Sequence, residues 1–257
     1  MTIVLNENEW AQEMIASHSL GKKPYETLCR VARFYLDEGY KRGDVRKMLE
    51  SFLMRCDQNA SAALWMDSLD RAVASAVKRR AVAIDYIPVT EPEMARIRGE
   101  SGAQAQRLAF TLLCLAKYYL ALMPDANGWV WLDDRDIMKM ANIKTSVRRQ
   151  SALYRQLRDD GLIQFSKKVD NTNVCVLFME RGDEAMRISD MRSLGNQYML
   201  RNGRARYYIC ENCGEVSFSG QNVGKSAADR RGRSKKYCAE CAEKLKHVTL
   251  STGRSMG

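Results

Sequence analysis

Four of the eight cysteines form two C-x-x-C pairs near the C-terminal end of the chain. The pairs are Cys210 with Cys213 and Cys238 with Cys241. A C-x-x-C turn places two thiolates on one side of a tight backbone turn, and two such turns complete the tetrahedral four-thiolate site that zinc prefers. Four thiolates fill the coordination sphere of the metal, so we expect one structural Zn²⁺ with no open position for a catalytic water.

Other interpretations of these cysteines remain open from sequence alone. They can be thiol–disulfide motifs or free structural cysteines, although a redox C-x-x-C normally stands in a βαβ setting that this sequence lacks. Iron is a further candidate metal. The segment after residue 205 carries too little apolar content to fold unaided, which favours a bound metal. The predicted order of knuckle, hairpin and a helix at 239–246 resembles treble-clef and zinc-ribbon modules.

The same region carries most of the positive charge. Residues 201–257 hold 12 basic and 5 acidic side chains, so they contribute +7 of the formal net charge of +10. A basic terminal segment on a nearly neutral body is typical of proteins that bind a polyanion. A disordered, solvated insertion would have the same composition, and both interpretations stay open. The predicted phosphate contacts here are Arg230, Arg231, Arg233, Lys235 and Lys236.

No combination of residues in the sequence predicts catalysis. Residues 220–226 (GQNVGKS) resemble a phosphate-binding loop, but the first glycine is one position late and the strand-to-helix setting is missing. The two histidines, His18 and His247, are too far apart in sequence to suggest a dyad. Acids at 133–136 stand where the start of a helix favours negative charge. We therefore expect a protein that is not an enzyme.

Residues 102–182 have the pattern of helix, short strand, helix, turn, helix and hairpin. The clearest signals are an apolar helix at 105–122, a helix at 147–160 that Ser146 can cap, and two β-rich arms around 170–173. This order, with the stretch LYRQLRDDGLIQFSKK, resembles the winged helix-turn-helix superfamily. The resemblance implies a DNA-binding fold, although winged helices also serve as protein–protein modules.

The helix at 147–160 is predicted to be the recognition helix. Leu153, Tyr154 and Leu157 fall on one face of this helix, which we expect to be buried. The segment from Lys144 to Arg158 holds five basic residues and no acid. Arginine forks can bridge phosphates or guanine edges. A solvated face, with Asp159 and Asp160 pairing locally, is the alternative. The predicted DNA contacts are Lys144, Thr145, Ser146, Arg148, Arg149, Arg155, Lys167, Lys168 and Asn171.

The first part of the chain has the periodicity of a helical bundle. Its pattern includes Gly21, TLxRxAxxY at 27–35, the pair Cys56-Asp57 and Trp65. It resembles the helical module at the C-terminal end of many phage and plasmid primases, over roughly residues 20–80. The polymerase half of such primases has no counterpart here, so the resemblance implies a setting in replication rather than an activity.

We therefore predict a mainly α fold with small β elements: an N-terminal helical bundle, a central winged helix-turn-helix and a C-terminal zinc-ribbon or treble-clef-like module. The absence of an apolar stretch long enough to cross a bilayer and of a basic leader predicts a cytoplasmic protein with no membrane partner. The expected segments are a helical domain at 1–83, a linker at 84–101, the winged helix at 102–182, a linker at 183–206, the four-cysteine zinc module at 207–250 and a disordered tail at 251–257.

Three functions fit these features. The first is a DNA-binding accessory protein of phage or mobile-element replication. Its winged helix binds duplex DNA, its basic zinc module either adds phosphate contacts or binds single strands, and its helical module recruits replication proteins. The second is a winged-helix transcriptional regulator whose N-terminal helices serve dimerisation or sensing. The third is a protein–protein adaptor that binds no nucleic acid.

Overall fold

The structure is a computed structural model that describes residues 3–57, 61–167, 173–203, 206–219 and 236–243. It is mainly helical with small antiparallel sheets, which confirms the predicted fold class at this level. The chain divides into two compact units, the first being Val4–Tyr86 and the second the part of the chain from Ile87 onward. Among the described residues, every helix is too short or too polar to traverse a lipid bilayer.

The unit Val4–Tyr86 is a bundle of helices around an apolar core. Leu28, Leu49, Phe52 and Leu69 are fully buried at its centre, because their three- and four-residue spacing puts them on the inward faces of successive helices. The short first helix, which the sequence analysis missed, begins at Asn6, whose side chain accepts a hydrogen bond from the N–H of Glu9. The helices are α1 (Glu7–Ala16), α2 (Pro24–Asp37), α3 (Arg42–Cys56) and α4 (Ala62–Val77).

A buried carboxylate ties α1 to the rest of this bundle. Glu7 is almost fully buried, and Arg33 donates two hydrogen bonds of 2.8 Å to its two carboxylate oxygens. Arg79 donates to Oε1 at 3.1 Å and the backbone N–H of Val82 donates to Oε2 at 3.2 Å. Burial would raise the pKa of Glu7, but the hydrogen bonds and charges of these partners outweigh it and hold the pKa below its ordinary value.

The segment predicted as a linker at 84–101 contains regular structure. Strand β1 (Ile87–Thr90) leads into helix α5 (Glu91–Arg98), which starts with a reciprocal capping box between Thr90 and Glu93. Glu93 is fully buried and receives a hydrogen bond of 2.6 Å from Nζ of Lys117. The sequence predicts only a linker here because the partner of β1 lies almost a hundred residues away.

The centre of the second unit is a long apolar helix with a small sheet beside it. Helix α6 (Ala103–Leu122) is buried along most of its length and contacts both of the following helices. These elements follow it: β2 (Trp129–Val130), α7 (Asp134–Met140), α8 (Val147–Asp159), β3 (Ile163–Phe165) and β4 (Val174–Val176). The strands pair antiparallel in the order β2-β4-β3, with Gln164 opposite Cys175 in the β3–β4 hairpin.

The segment predicted as a second linker, 183–206, contains β5 (Glu184–Ile188) and α9 (Leu194–Arg201). β5 pairs antiparallel with β1, and the ring of Tyr198 on α9 packs 5.2 Å from that of Phe110 on α6. The α9 backbone also lies very close to residue 141, because a Cβ on Gly195 would stand 2.1 Å from the carbonyl oxygen of Ala141. Both elements therefore belong to the packed unit.

The cysteine region follows α9 as a small hairpin. Strands β6 (Tyr207–Ile209) and β7 (Val216–Phe218) pair antiparallel, and residues 239–243 are helical. The first C-x-x-C pair forms the turn of the hairpin and the second pair opens the short helix, as the sequence predicted for the described part of this region.

Candidate metal centre and nucleic-acid interface

The four cysteines of the two C-x-x-C pairs come together in the structure. The sulfur atoms of Cys210, Cys213, Cys238 and Cys241 all lie within 4.8 Å of one another, and those of Cys213 and Cys238 are 3.8 Å apart. Four thiolates at roughly 2.3 Å from one tetrahedral metal would have their sulfurs roughly 3.8 Å apart. The cluster therefore has dimensions that fit a single metal ion.

The backbone around the first pair explains how the cluster is assembled. The N–H of Cys210 bonds the carbonyl oxygen of Glu215 at 3.0 Å, and the N–H of Gly214 bonds that of Cys210 at 2.9 Å. Gly214 has a φ of +70°, a conformation that favours glycine. The N–H of Glu211 then reaches the carbonyl oxygen of Lys236 at 2.9 Å, which brings the second pair against the first.

Hydrogen bonds to sulfur favour the thiolate form of Cys210, whereas burial raises the pKa of Cys213 to about 12 and also raises the pKa of Cys238. The backbone N–H of Cys238 points to Sγ of Cys210 at 3.3 Å, and the side-chain amide of Asn212 points to Sγ of Cys241 at 3.3 Å. Burial opposes ionisation of Cys210, but backbone N–H groups, foremost that of Cys238, outweigh it and lower the pKa of this thiol to about 6. A thiolate is the form that binds a metal.

Contacts with α9 and the residues before it position the hairpin. Nη2 of Arg192 donates to the carbonyl oxygen of Cys213 at 2.8 Å, and Oγ of Ser193 donates to Glu215 at 2.6 Å. The side-chain amide of Asn196, which is buried, donates to the carbonyl oxygen of Val216 at 2.9 Å. Sequence reasoning missed these three positioning residues because each acts on a carbonyl or carboxylate about twenty positions away, and no local pattern marks such contacts.

The second candidate site is the outer face of α8. Ser146 caps this helix through a hydrogen bond of 3.4 Å from the N–H of Arg149 to its side-chain oxygen. Leu153, Tyr154 and Leu157 are buried, as the spacing predicted, which turns the opposite face to solvent. The exposed residues at the start of the helix are Lys144, Ser146, Val147, Arg148 and Arg149, and Arg155 is exposed two turns later.

Among the described residues, the cations at the start of α8 have no acidic partner. Within the part of the chain that the structure describes, Lys144, Arg148 and Arg149 make no ion pair, and Nε of Arg155 only bonds the carbonyl oxygen of Ser151 at 3.4 Å. Asp159 pairs with Arg158 at 2.6 Å rather than with Arg155. The acids that the structure describes therefore do not compensate the charges of this helix face.

The remaining predicted contacts are less well placed. Thr145 is half-buried and its carbonyl oxygen accepts a hydrogen bond from Gln150, while Lys167 is exposed just beyond β3. Lys236 is exposed beside the cysteine cluster, 3.6 Å from Glu211. Six of the predicted contacts lie outside the described residues: Lys168, Asn171, Arg230, Arg231, Arg233 and Lys235.

The end of α8 carries a pair of carboxyl groups. Glu100 is buried and accepts a hydrogen bond of 3.2 Å from the side chain of Gln156, with the carboxylate of Asp160 close by. Burial, and then the negative charge of Asp160, raise the pKa of Glu100 above its ordinary value. This pair lies at the opposite end of α8 from the exposed cations.

Comparisons with known proteins return no relative. No protein-family model, no curated protein and no solved structure matches this chain. A functional conclusion therefore depends on the cysteine cluster and the basic helix face themselves.

Proposed function

We propose that this chain is a non-enzymatic DNA-binding accessory protein that contacts duplex DNA through the exposed face of α8. The observation that carries this proposal is a group of cations, Lys144, Arg148 and Arg149, at the capped start of that helix, which form no ion pair with any residue that the structure describes. Guanidinium groups without acidic partners remain available for phosphates and for the acceptor atoms of guanine in the major groove. The residues at the N-terminal end of a recognition helix are those that reach base edges.

The arrangement around α8 supports the same proposal. Helix α7, a short turn and α8 follow one another on the surface of α6, and the β3–β4 hairpin stands directly after α8. This order of elements is the one expected of a winged helix, in which the second helix of the turn motif enters the groove. In this proposal, Lys167 at the end of β3 contacts the phosphates beside the groove.

We assign zinc to the cysteine cluster. A closed set of four thiolates at tetrahedral spacing suits zinc, and its role is structural because no coordination position is left for a substrate. The metal and the four thiolates together carry a charge of −2, which leaves the chain basic. In the proposal the basic residues of the sequence segment 230–236 add phosphate contacts, and so strengthen binding mainly at low salt.

The setting we propose is replication of a phage or another mobile element, with the Val4–Tyr86 unit recruiting replication proteins. This step rests on the resemblance of residues 20–80 to the helical module of primases. Preference for forked or single-stranded DNA would support it. A single high-affinity duplex site would instead favour a transcriptional regulator.

Electrophoretic shift assays with duplex, forked and single-stranded DNA at several salt concentrations test the proposal. The double variant Arg148→Glu with Arg149→Glu should weaken duplex binding at least tenfold, because each phosphate or base contact of an arginine is worth about 1–3 kcal/mol. A matched control is Lys47→Glu with Arg55→Glu, two exposed cations on α3. The control makes the same change in net charge and should retain most of the binding.

The outcomes separate the candidate functions. Equal loss in both double variants would mean that binding depends on net charge alone, and the assignment of α8 would be wrong. If the wild-type protein shifts no DNA even at low salt, the proposed function is wrong and the protein–protein adaptor is the remaining candidate.

A further inference from the structure

Val147 is an exposed apolar residue among the cations at the start of α8. Its side chain is 76% exposed, although the other large apolar residues of the helix, Leu153, Tyr154 and Leu157, are buried. It is the first residue of the helix, directly between the cap Ser146 and Arg148. A single exposed valine is common on protein surfaces, so its significance depends on what surrounds it.

Folding gives no reason for a valine at this position. The hydrogen bond that caps the helix runs from the N–H of Arg149 to Ser146 and does not involve the side chain of Val147. A β-branched residue is a poorer helix former than alanine, and one that is mostly in solvent adds little to a core. The side chain is thus explained better by an external contact than by the stability of the helix.

The position of Val147 on the helix fits a contact with a base edge. Val147, Ser151 and Arg155 follow one another at intervals of four residues, so they form one row along the surface of α8. The hydroxyl of Ser151 donates to the carbonyl oxygen of Val147 at 3.1 Å. If α8 enters the major groove of DNA with this row facing the bases, the two methyl groups of Val147 enter first. The guanidinium group of Arg155 lies at the other end of the row.

Only one kind of apolar group is available in the major groove of DNA. It is the methyl group on C5 of thymine, since the other base edges there present hydrogen-bond donors and acceptors. We propose that Val147 contacts the C5-methyl group of a thymine in duplex DNA and so selects for thymine at one position of the site. This inference rests on the proposed function, because it requires α8 to lie in the major groove.

The test removes the C5-methyl group of thymine from the DNA without changing base pairing. A duplex selected from a random library by the wild-type protein is resynthesised with deoxyuridine in place of each thymine in turn. Loss of the methyl contact at one position should weaken wild-type binding about fourfold, the factor that corresponds to one buried methylene-sized group. Val147→Ala should weaken binding to the thymine duplex and bind the two duplexes equally well.

A control variant and two distinct outcomes make this test decisive. Leu64→Ala removes an apolar side chain that is 84% exposed on α4 and should keep the fourfold preference of the wild type. If Val147→Ala retains the full preference for thymine, or if no deoxyuridine substitution matters to the wild type, the inference is overturned while the proposed function stands. If the library yields no bound duplex, both the inference and the proposed function fail.

Discussion

Asn142 donates a hydrogen bond of 2.7 Å from its side-chain amide to Oδ1 of Asn196, across 54 positions of sequence. Asn142 has a φ of +51° and lies in the turn between α7 and α8. The amide nitrogen of Asn196 in turn donates to the carbonyl oxygen of Val216 in the cysteine hairpin. One buried side chain thus connects the turn that precedes the basic helix with the hairpin that carries the first two cysteines.

Removal of the metal should destabilise the cysteine hairpin and with it the contact between Asn196 and Val216. We expect about one zinc per chain in the purified protein, and a chelator should unfold the β6–β7 hairpin because the site supplies most of its folding free energy. Hydrogen exchange at residues 207–218 measures the effect, with Cys213→Ser as the matching variant. Cys56→Ser, a half-buried cysteine outside the cluster, is the control. A metal-free hairpin that stays protected would contradict the metal assignment.

Replacement of Asn196 by leucine should destabilise the second unit by about 2 kcal/mol. Leucine has a similar shape but leaves the carbonyl oxygen of Val216 and the amide of Asn142 without partners, and each buried unsatisfied group costs about 1–3 kcal/mol. Denaturant unfolding measures the change. Asn202→Ala is the control, since Asn202 is an exposed residue whose amide donates to the carbonyl oxygen of Tyr198 within the end of α9, and it should cost about 0.5 kcal/mol. Equal effects of the two variants would show that the hydrogen bonds of Asn196 to Asn142 and Val216 contribute nothing to stability.

Glu7→Gln should lower the free energy of unfolding of the Val4–Tyr86 unit by about 3 kcal/mol at neutral pH, because it leaves the buried Arg33 without its carboxylate partner. The pKa of Glu7 is lower folded than unfolded, so its stabilisation is present above the ordinary carboxyl pKa and is lost as the pH falls through the folded value. The difference from wild type should therefore shrink in acid.

Thermal unfolding from pH 3 to pH 7 measures this dependence. Glu13→Gln changes an exposed carboxylate on the same helix and is the control. A constant difference between Glu7→Gln and wild type across this pH range would show that the ionised carboxylate has no special role.

The carboxyl group of Glu100 should contribute to stability with a pH dependence opposite to that of Glu7. Its pKa is raised in the folded state, so its contribution is fully present below the ordinary carboxyl pKa and is lost as the pH rises through the folded value. Glu100→Gln should therefore stabilise the second unit by about 1 kcal/mol at pH 8, since an amide donates to Asp160 without a like charge.

The gain from Glu100→Gln should disappear in acid, where Glu100 itself is protonated. Denaturant unfolding of the variant and the wild type at pH 4 and pH 8 gives the comparison, and Glu91→Gln on the exposed part of α5 is the control. A variant that is less stable than wild type at pH 8 would contradict the unfavourable contact with Asp160.

Local signals in the sequence were the ones that predicted structure correctly. The spacing of Cys210 and Cys213 predicted the knuckle, Ser146 predicted the start of α8, and β3 and β4 pair as the expected hairpin. Each of these features depends on residues close together in the chain. Their prediction therefore needed only turn chemistry, capping and periodicity.

Features made by distant residues could not be predicted in the same way. Strand β1 finds its partner in β5, where Ile87 stands opposite Ile188. The segment containing β1 looked like a linker because a short edge strand has no pattern until its partner is known. The exposure of Val147 was also invisible, since a valine at that position is equally compatible with a buried helix face.

The close approach of Gly195 to Ala141 has a practical consequence for anyone who wishes to shorten this protein. A fragment that stops at residue 182 would lack α9, which covers the turn before the basic helix. The backbone surface of that turn, against which Gly195 packs, would then be exposed to water. A fragment from 87 to 203 keeps that surface covered. It is the better starting point for crystallisation or NMR of the basic helix without the cysteine hairpin.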